Sequence, residues 1–421
     1  MFPNPQAALP LPSRPSLEHY KKRAKDLVKA CRSGDPDAIG AWAREWLGSQ
    51  ADEVAGFART KLSAETGDCV LADAQFVIAR SYGFASWPRF AAHIEALERA
   101  QSSPISLFET AVDALMSGDE KTLARLLREQ PDLARARSTR EHHATLLIYT
   151  SANGVEGYRQ KSPKNAPAIA EMLLAAGAEV DATAAVYGSE CTTLGLVATS
   201  QPPSVAGVQI PIIDILLRHG ARVQDPGLAG RDSSLVYACL ANGQGRAAEY
   251  LAGKGAPIDL VCAAGIGRVD AVAMYFDERG QLVGATPDQL AMAWSLAAAY
   301  GQADAVAFLL DHGVDVNAIV SGHGDGHTAL HVAAYHGHAA LVRMLLARGA
   351  RVDIIDKTWK TPPLSWVLTG WARKDAAPEP CYDVVAQLVR AGAHVKPEFF
   401  EWDKAREDPK MLAALQGKLQ A

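Results

Sequence analysis

The densest group of side chains able to do chemistry is the stretch Gly322-His323-Gly324-Asp325-Gly326-His327-Thr328-Ala329-Leu330-His331, with His336 and His338 just beyond it. Imidazoles at i and i+4, as His327 and His331 are, suit zinc when both lie on one helix face. The hydroxyl of Thr328, however, predicts a helix start at that position. His327 then precedes the helix and does not share its face. No glutamate completes a His-Glu-x-x-His motif, and the glycines suit a flexible turn. A metal-dependent enzyme using the histidine-rich residues 323–338 therefore stands as an alternative and not as the first reading. The nearest approach to a phosphate-cradling loop is Ala263-Ala264-Gly265-Ile266-Gly267-Arg268, which has no strand before it. There is no Walker lysine loop, dinucleotide fingerprint or Gly-x-Ser-x-Gly elbow. Lys21, Lys22, Arg23, Lys25 and Lys29 make a basic helical face. Solvation explains such a face, and nucleic-acid contact there is the second alternative. The expectation is a chain with no catalytic residues, no cofactor and no metal.

Composition narrows the field further. The 421 residues are 48% apolar and 21% charged, with a formal net charge of −5. That balance gives no general attraction to nucleic acid or to an anionic membrane. Cys31, Cys69, Cys191, Cys239, Cys262 and Cys381 are scattered, and no pair has Cys-x-x-Cys spacing. Disulfides are not expected, and a reducing, cytoplasmic setting fits best. No apolar run approaches membrane-spanning length. Residues 1–15 are Pro-rich, lack the apolar centre of a signal peptide and are expected to be disordered.

The elements that would position any site come from an internal repeat. The clearest unit is Thr328-Ala329-Leu330-His331-Val332-Ala333-Ala334-Tyr335-His336-Gly337-His338, continuing through Leu341-Val342 and Leu345-Leu346 to Gly349-Ala350 and Val352-Asp353. Ala333 and Ala334 are small enough for helices to approach closely. Gly337 lets the chain turn between two helices, and Leu341, Val342, Leu345 and Leu346 recur at helical spacing on one apolar face. Gly349 ends the second helix in a left-handed conformation that costs other residues about 1–2 kcal/mol. The interval between Gly337 and Gly349 recurs at Gly301 and Gly313 and at Gly243 and Gly255. Other units end at Gly177-Ala178, Gly220-Ala221 and Gly392-Ala393, and a first surrounds Gly118. One such unit cannot bury its own apolar face, so neighbours must stack.

These residues resemble the ankyrin repeat family over nearly all of 106–397, with Ala329 where that pattern usually has proline. The segment Tyr82-Gly83-Phe84-Ala85-Ser86-Trp87-Pro88 looks like one found ahead of ankyrin repeats in a group of uncharacterised bacterial proteins. Ala152-Asn153-Gly154-Val155-Glu156-Gly157 and Thr193-Leu194-Gly195-Leu196-Val197-Ala198-Thr199 look like the same group. The resemblance implies an all-α solenoid of about eight helix-turn-helix units with β-turn fingers. It makes His331 and His338 ordinary members of the pattern, the first bonded to neighbouring backbone. The short interval from Gly243 to Gly267 implies a repeat that has lost its finger. The domain reading is a disordered 1–15, a helical N-terminal cap at 16–100, the array at 106–397 with insertions at 155–165 and 200–210, and a C-terminal helical cap at 398–421. Phe399, Phe400, Trp402, Met411, Leu412 and Leu415 form the expected inward set of that last cap.

The function implied is a protein-binding scaffold, monomeric, using its concave face, fingertips and insertions on a protein partner that the sequence leaves unidentified. At one register Tyr149, Leu196, Cys262, Leu296, Val332 and Trp366 are all non-polar, as a row packed between repeats is. The positions just before the turn glycine vary: Asn153, Asn242, Ile266, Tyr300, Tyr335 and His336, with Thr369 in the last repeat. Variety there is what a recognition surface shows. Fingertips add Arg140, Glu141 and His142, then Asp325, then Lys357, Trp359 and Lys360. Tyr335, Trp359 and Trp371 form the expected exposed aromatic hot spot, since aromatic side chains concentrate binding energy.

Overall fold

The computed structural model describes residues 5–12, 14–64, 69–99, 103–223, 234–320, 326–373 and 379–419. His323 and Asp325 of the histidine-rich finger lie outside the described residues. The chain divides into two compact units, Met1–Leu235 and Val236–Ala421. Helix dominates both, and no described helix is long and apolar enough to cross a membrane.

The first unit begins with α1 (Leu17–Arg32), α2 (Ala38–Leu47), α3 (Ala51–Ala64), α4 (Leu71–Ser81) and α5 (Trp87–Arg99). Helix α1 buries Leu17, Tyr20, Ala24 and Leu27. That 3.6-residue stripe leaves Lys22, Lys25 and Lys29 on the solvent side. It packs on α2 and α4, and Tyr20 meets Tyr82 and Phe90 edge-on at 5.2 and 4.9 Å. Two expectations fail here. Cys31 and Cys69 are joined by a disulfide, because the packing of the helices brings together residues far apart in sequence. And residues 5–12 are held in place: Ala8 and Leu9 are buried, and Leu9 donates its N–H to Ser81 O at 2.8 Å.

Helix pairs follow: α6 (Pro104–Ser117) with α7 (Glu120–Glu129), α8 (Leu146–Tyr149) with α9 (Ala166–Ala175), and α10 (Thr193–Ala198) with α12 (Gln209–Arg218). Helix α6 packs on α8 and α8 on α10, while α9 packs on α12. First helices thus form one layer and second helices another. An antiparallel hairpin, β1 (Thr183–Val186) and β2 (Ser189–Thr192), projects between α9 and α10. Residues 155–165 carry a 3-10 turn, Gly157–Arg159, and residues 200–210 carry α11 (Gln201–Val205).

The second unit contains α13 (Leu235–Ala241) with α14 (Gly245–Gly253), α15 (Leu260–Gly265) with α16 (Val269–Ala273), α17 (Pro287–Ala299) with α18 (Ala303–Asp311), α19 (Ala329–His336) with α20 (Ala339–Ala347), and α21 (Pro363–Arg373) with α22 (Glu379–Arg390). Helices α15, α17, α19 and α21 stack as an inner row, and α16, α18, α20 and α22 as an outer row. Paired alanines (Ala297 and Ala298, Ala333 and Ala334) are fully buried where inner helices meet. Gly337 and Gly349 take positive φ, 76° and 88°, at the two turns that the spacing requires. The chain closes with α23 (Glu398–Glu401), α24 (Asp403–Arg406) and α25 (Pro409–Leu415), the last packed on α22 through Met411, Ala414 and Leu415. Trp402, expected to point inward with them, is instead 37% exposed. Phe399, Phe400 and Leu412 are half-buried.

Candidate functional site

In the second unit, the finger between α20 and α21 is organised by one buried carboxylate. Asp356 is 1% exposed. Its Oδ1 accepts the backbone N–H groups of Thr358 and Trp359 at 2.9 and 2.6 Å. Its Oδ2 accepts the N–H and the hydroxyl of Thr361, both at 2.8 Å, and the indole N–H of Trp366 at 3.3 Å. Burial alone would raise the Asp356 pKa, but the bonds from Thr361 and its neighbours outweigh it and bring the value down to about 2. Lys357 donates its N–H to Gly326 O at 3.1 Å, which ties this finger to the one before it. His331 ties it to α19: its Nδ1 accepts the Thr328 N–H at 3.2 Å, leaving Nε2 to donate to Thr361 O at 3.1 Å.

This scaffold presents Trp359 at 58% exposure. Trp359 meets Trp366 edge-on at 5.2 Å, and Trp366 meets Tyr335 at 6.2 Å. His336 lies 5.1 Å from Tyr335. Tyr335 and Trp366 are half-buried, and His336, Lys357 and Lys360 are exposed. Lys360 holds φ at 55°, a region that side-chain-bearing residues seldom adopt and that pairs with function often enough to notice. An aromatic surface flanked by cations is the result. Trp366, expected to pack between repeats, is the member that joins Trp359 to Tyr335. Asp356 was missed because an aspartate in a turn is common in any sequence.

Several expected contact residues lie elsewhere. Trp371 is 5% exposed; Trp402 meets it edge-on at 5.8 Å and Lys404 Nζ sits 4.9 Å over its ring. It is therefore covered by the C-terminal elements and is no part of an exposed hot spot. Tyr300 is half-buried, with its hydroxyl donated to Leu240 O at 2.5 Å. Asn153 is half-buried and donates to Leu196 O and Thr199 Oγ1 at 3.2 and 3.3 Å while accepting from Tyr187 at 2.6 Å. Both are spent on internal bonds. Asn242 is exposed and donates to Ala238 O at 2.8 Å.

Arg140 and His142 are the largest departures, being 1% and 2% exposed. Their finger is enclosed within the first unit. Glu141 donates its N–H to Gly83 O at 3.0 Å and pairs with Arg80, and His142 O accepts from Ala185 of β1 at 3.0 Å. The Arg140 guanidinium lies 5.5 Å from the Phe84 ring. Its NH1 is 2.6 Å from Glu109 and its Nε 2.6 Å from Glu156. Arg159 completes the centre, 2.7 Å from Glu109 and 2.9 Å from Asp113. His142 Nδ1 accepts the Ala144 N–H at 3.0 Å, so its proton is on Nε2, 3.5 Å from Glu156. Burial opposes charge on Glu156, but Arg140 and His142 hold its carboxyl far below the usual range. Residues 5–12 run across this centre: Ala8 abuts Gly83, and the Gln6 carbonyl stands where a Cβ on Gly157 would be. The arrangement is an enclosed ion network of Arg140, Arg159, Glu109 and Glu156, with Asp113 at its exposed edge.

Two further histidines of this stretch are also engaged internally. His338 Nε2 lies 2.7 Å from Ala299 O and His327 Nε2 lies 3.2 Å from Ser295 Oγ. No group of three or more His, Cys, Asp or Glu side chains able to hold a metal ion occurs among the described residues.

Helical pairs in two rows, small residues between them and left-handed glycines at turns such as Gly301, Gly313, Gly337 and Gly349 lead to one comparison. The family model described as ankyrin repeats in 3 copies matches residues 260–356. Those residues are an ankyrin repeat region. Its three repeats span α15 to α20 and run up to Asp356, the residue that organises the exposed finger. Ankyrin repeats are generally protein-interaction modules, and the family is typically non-catalytic. No curated protein matches the chain.

Proposed function

We propose that this protein is a non-catalytic, monomeric scaffold that recognises a partner protein through the surface made by Trp359, Trp366, Tyr335, His336, Lys357 and Lys360. In this reading the helix pairs of both units are repeats of one kind, about eight in all. The observation that carries the reading is the exposed indole of Trp359 on a finger whose backbone is fixed by a buried acceptor. A large aromatic already held in place loses little freedom on binding, which is the property of an anchor residue. Lys357 and Lys360 beside it favour an acidic rim on the partner. Affinity capture from native lysate tests this, with wild type compared to Tyr335→Ala/Trp359→Ala. The expected outcome is loss of the captured partner from the double variant at unchanged circular dichroism. Equal recovery of the same partner by both forms would refute the assignment.

A further inference from the structure

An open groove of about 430 Å³ lies between α21 and the first turn that follows the array. Leu368, Phe399 and Trp402 give it an apolar lining, and Glu398 and Glu401 stand at its rim. Both carboxylates are exposed, and among the described residues neither forms an ion pair. Trp402 is the residue whose sequence context predicts burial and whose side chain is instead 37% exposed, resting on the edge of Trp371. Lys404 is engaged with the Trp371 ring and with Ala372 O at 2.9 Å. Ser365 and Thr369 form the opposite wall one turn apart on α21, with the Thr369 hydroxyl bonded to Ser365 O. Ser365 precedes Trp366 on the same helix, so α21 contributes both to the groove and to the aromatic surface around Trp359.

From this combination of apolar floor and uncompensated acidic rim we infer that the groove takes a peptide segment of a partner protein, one that inserts an apolar side chain against Leu368, Phe399 and Trp402 and places a neighbouring lysine or arginine beside Glu398 and Glu401. The inference rests on the scaffold reading and adds the chemistry of the segment bound. The polarity is opposite to that of the Trp359 finger, where lysines flank the aromatic surface. One partner reaching both patches must therefore present acidic residues to the finger and basic ones to the groove. Where one segment spans both, opposed charge at the two patches fixes the direction in which it lies, since reversing it sets like charges together.

Displayed random peptides, panned against the full chain, are the probe. Parallel panning uses Glu398→Lys/Glu401→Lys, Trp402→Ala and Tyr335→Ala/Trp359→Ala, each checked for an unchanged melting temperature. The inference predicts a class of peptides pairing Lys or Arg with an apolar residue, retained by wild type and lost by both groove variants. One such peptide, synthesised and titrated, should bind the charge-reversed protein about tenfold more weakly or worse, with affinity in wild type falling as salt rises. Peptides that lose binding only to Tyr335→Ala/Trp359→Ala would overturn the groove while leaving the scaffold reading in place. Groove-dependent peptides that are acidic, or apolar without a cation, would overturn the charge assignment. Self-association of wild type that the groove variants abolish would give the groove to a second copy and overturn it as well. Selection of no peptide class by any form of the chain would count against both readings.

Discussion

Two fingers of the molecule are built from similar materials and used in opposite ways. The finger at 137–145 in the first unit carries Arg140 and His142, and the one at 353–362 in the second carries Lys357, Trp359 and Lys360. Each contains charge next to a ring and a short turn. In the first, neighbouring segments close over the tip, and Glu109, Glu156 and Arg159 neutralise what is enclosed. In the second, the only charge taken inside is Asp356, and it is satisfied by the finger's own backbone and hydroxyl groups. The lysines and Trp359 are left for solvent. The same motif thus serves as internal structure where other elements cover it and as a presentation device where the finger is anchored from below. Exposure is decided by what packs around a finger, and the finger's own composition does not reveal it.

The largest effect that separates the two is loss of the enclosed carboxylate. Glu156→Gln leaves Arg140 buried without one of its counter-charges, and the first unit should lose about 3–5 kcal/mol by urea unfolding followed with hydrogen exchange. A loss below about 1 kcal/mol would mean that water already reaches the network. Next is the second unit's own dependence on its finger. Asp356→Ala orphans the groups bonded to it and should cost about 2–3 kcal/mol, with the Trp359 environment changing in fluorescence. The pH dependence has a definite sign. The Asp356 pKa is held near 2, below its ordinary value of 3.8. Its contribution to stability is full above the unfolded value and is lost as pH falls from about 4 through 2. Trp359 emission should change over that window in wild type, and an unchanged signal would place the carboxylate outside the finger's control.

A smaller effect tests close packing of the inner row. Alanine normally favours a helix over glycine by about 0.5–1 kcal/mol. At Gly370, buried in α21, a Cβ would collide with the Tyr335 carbonyl of α19. Gly370→Ala should therefore destabilise by about 1–3 kcal/mol, and a thermal melt showing a gain would disprove the close approach. Smallest in stability is Trp359→Ala, expected to shift unfolding by less than about 0.5 kcal/mol. A large cost there would make Trp359 part of the core and remove it from the binding surface.

Much of the second unit was legible in the sequence because the repeat is written in residue types with few alternatives. Glycine at the left-handed turns between paired helices and alanine where helices meet follow from steric limits, and Gly337, Gly349, Ala333 and Ala334 lie where the spacing puts them. What covers a residue was less legible. From the sequence Trp371 looks exposed, as a residue just past the last inner helix; α21 instead runs on to Arg373, and Trp402 and Lys404, distant in sequence, cover Trp371. Arg140 falls at a fingertip position of the repeat pattern, and its partners Glu109 and Glu156 come from other elements. The Cys31–Cys69 disulfide likewise depends on how α1 and the start of α4 are brought together. Trp366 was half legible: its register suited packing, and it does pack, yet the face it leaves open joins Trp359 to Tyr335. Each failure is one of tertiary context acting on a locally reasonable residue.

The aromatic finger of the second unit is the proposed place of partner binding. Hydrogen–deuterium exchange of the full chain, alone and saturated with a captured partner, tests it most directly. New protection is expected to concentrate in residues 354–371, with little change in 137–160. Protection confined to the first unit, with the 354–371 segment exchanging as it does in the free protein, would contradict it.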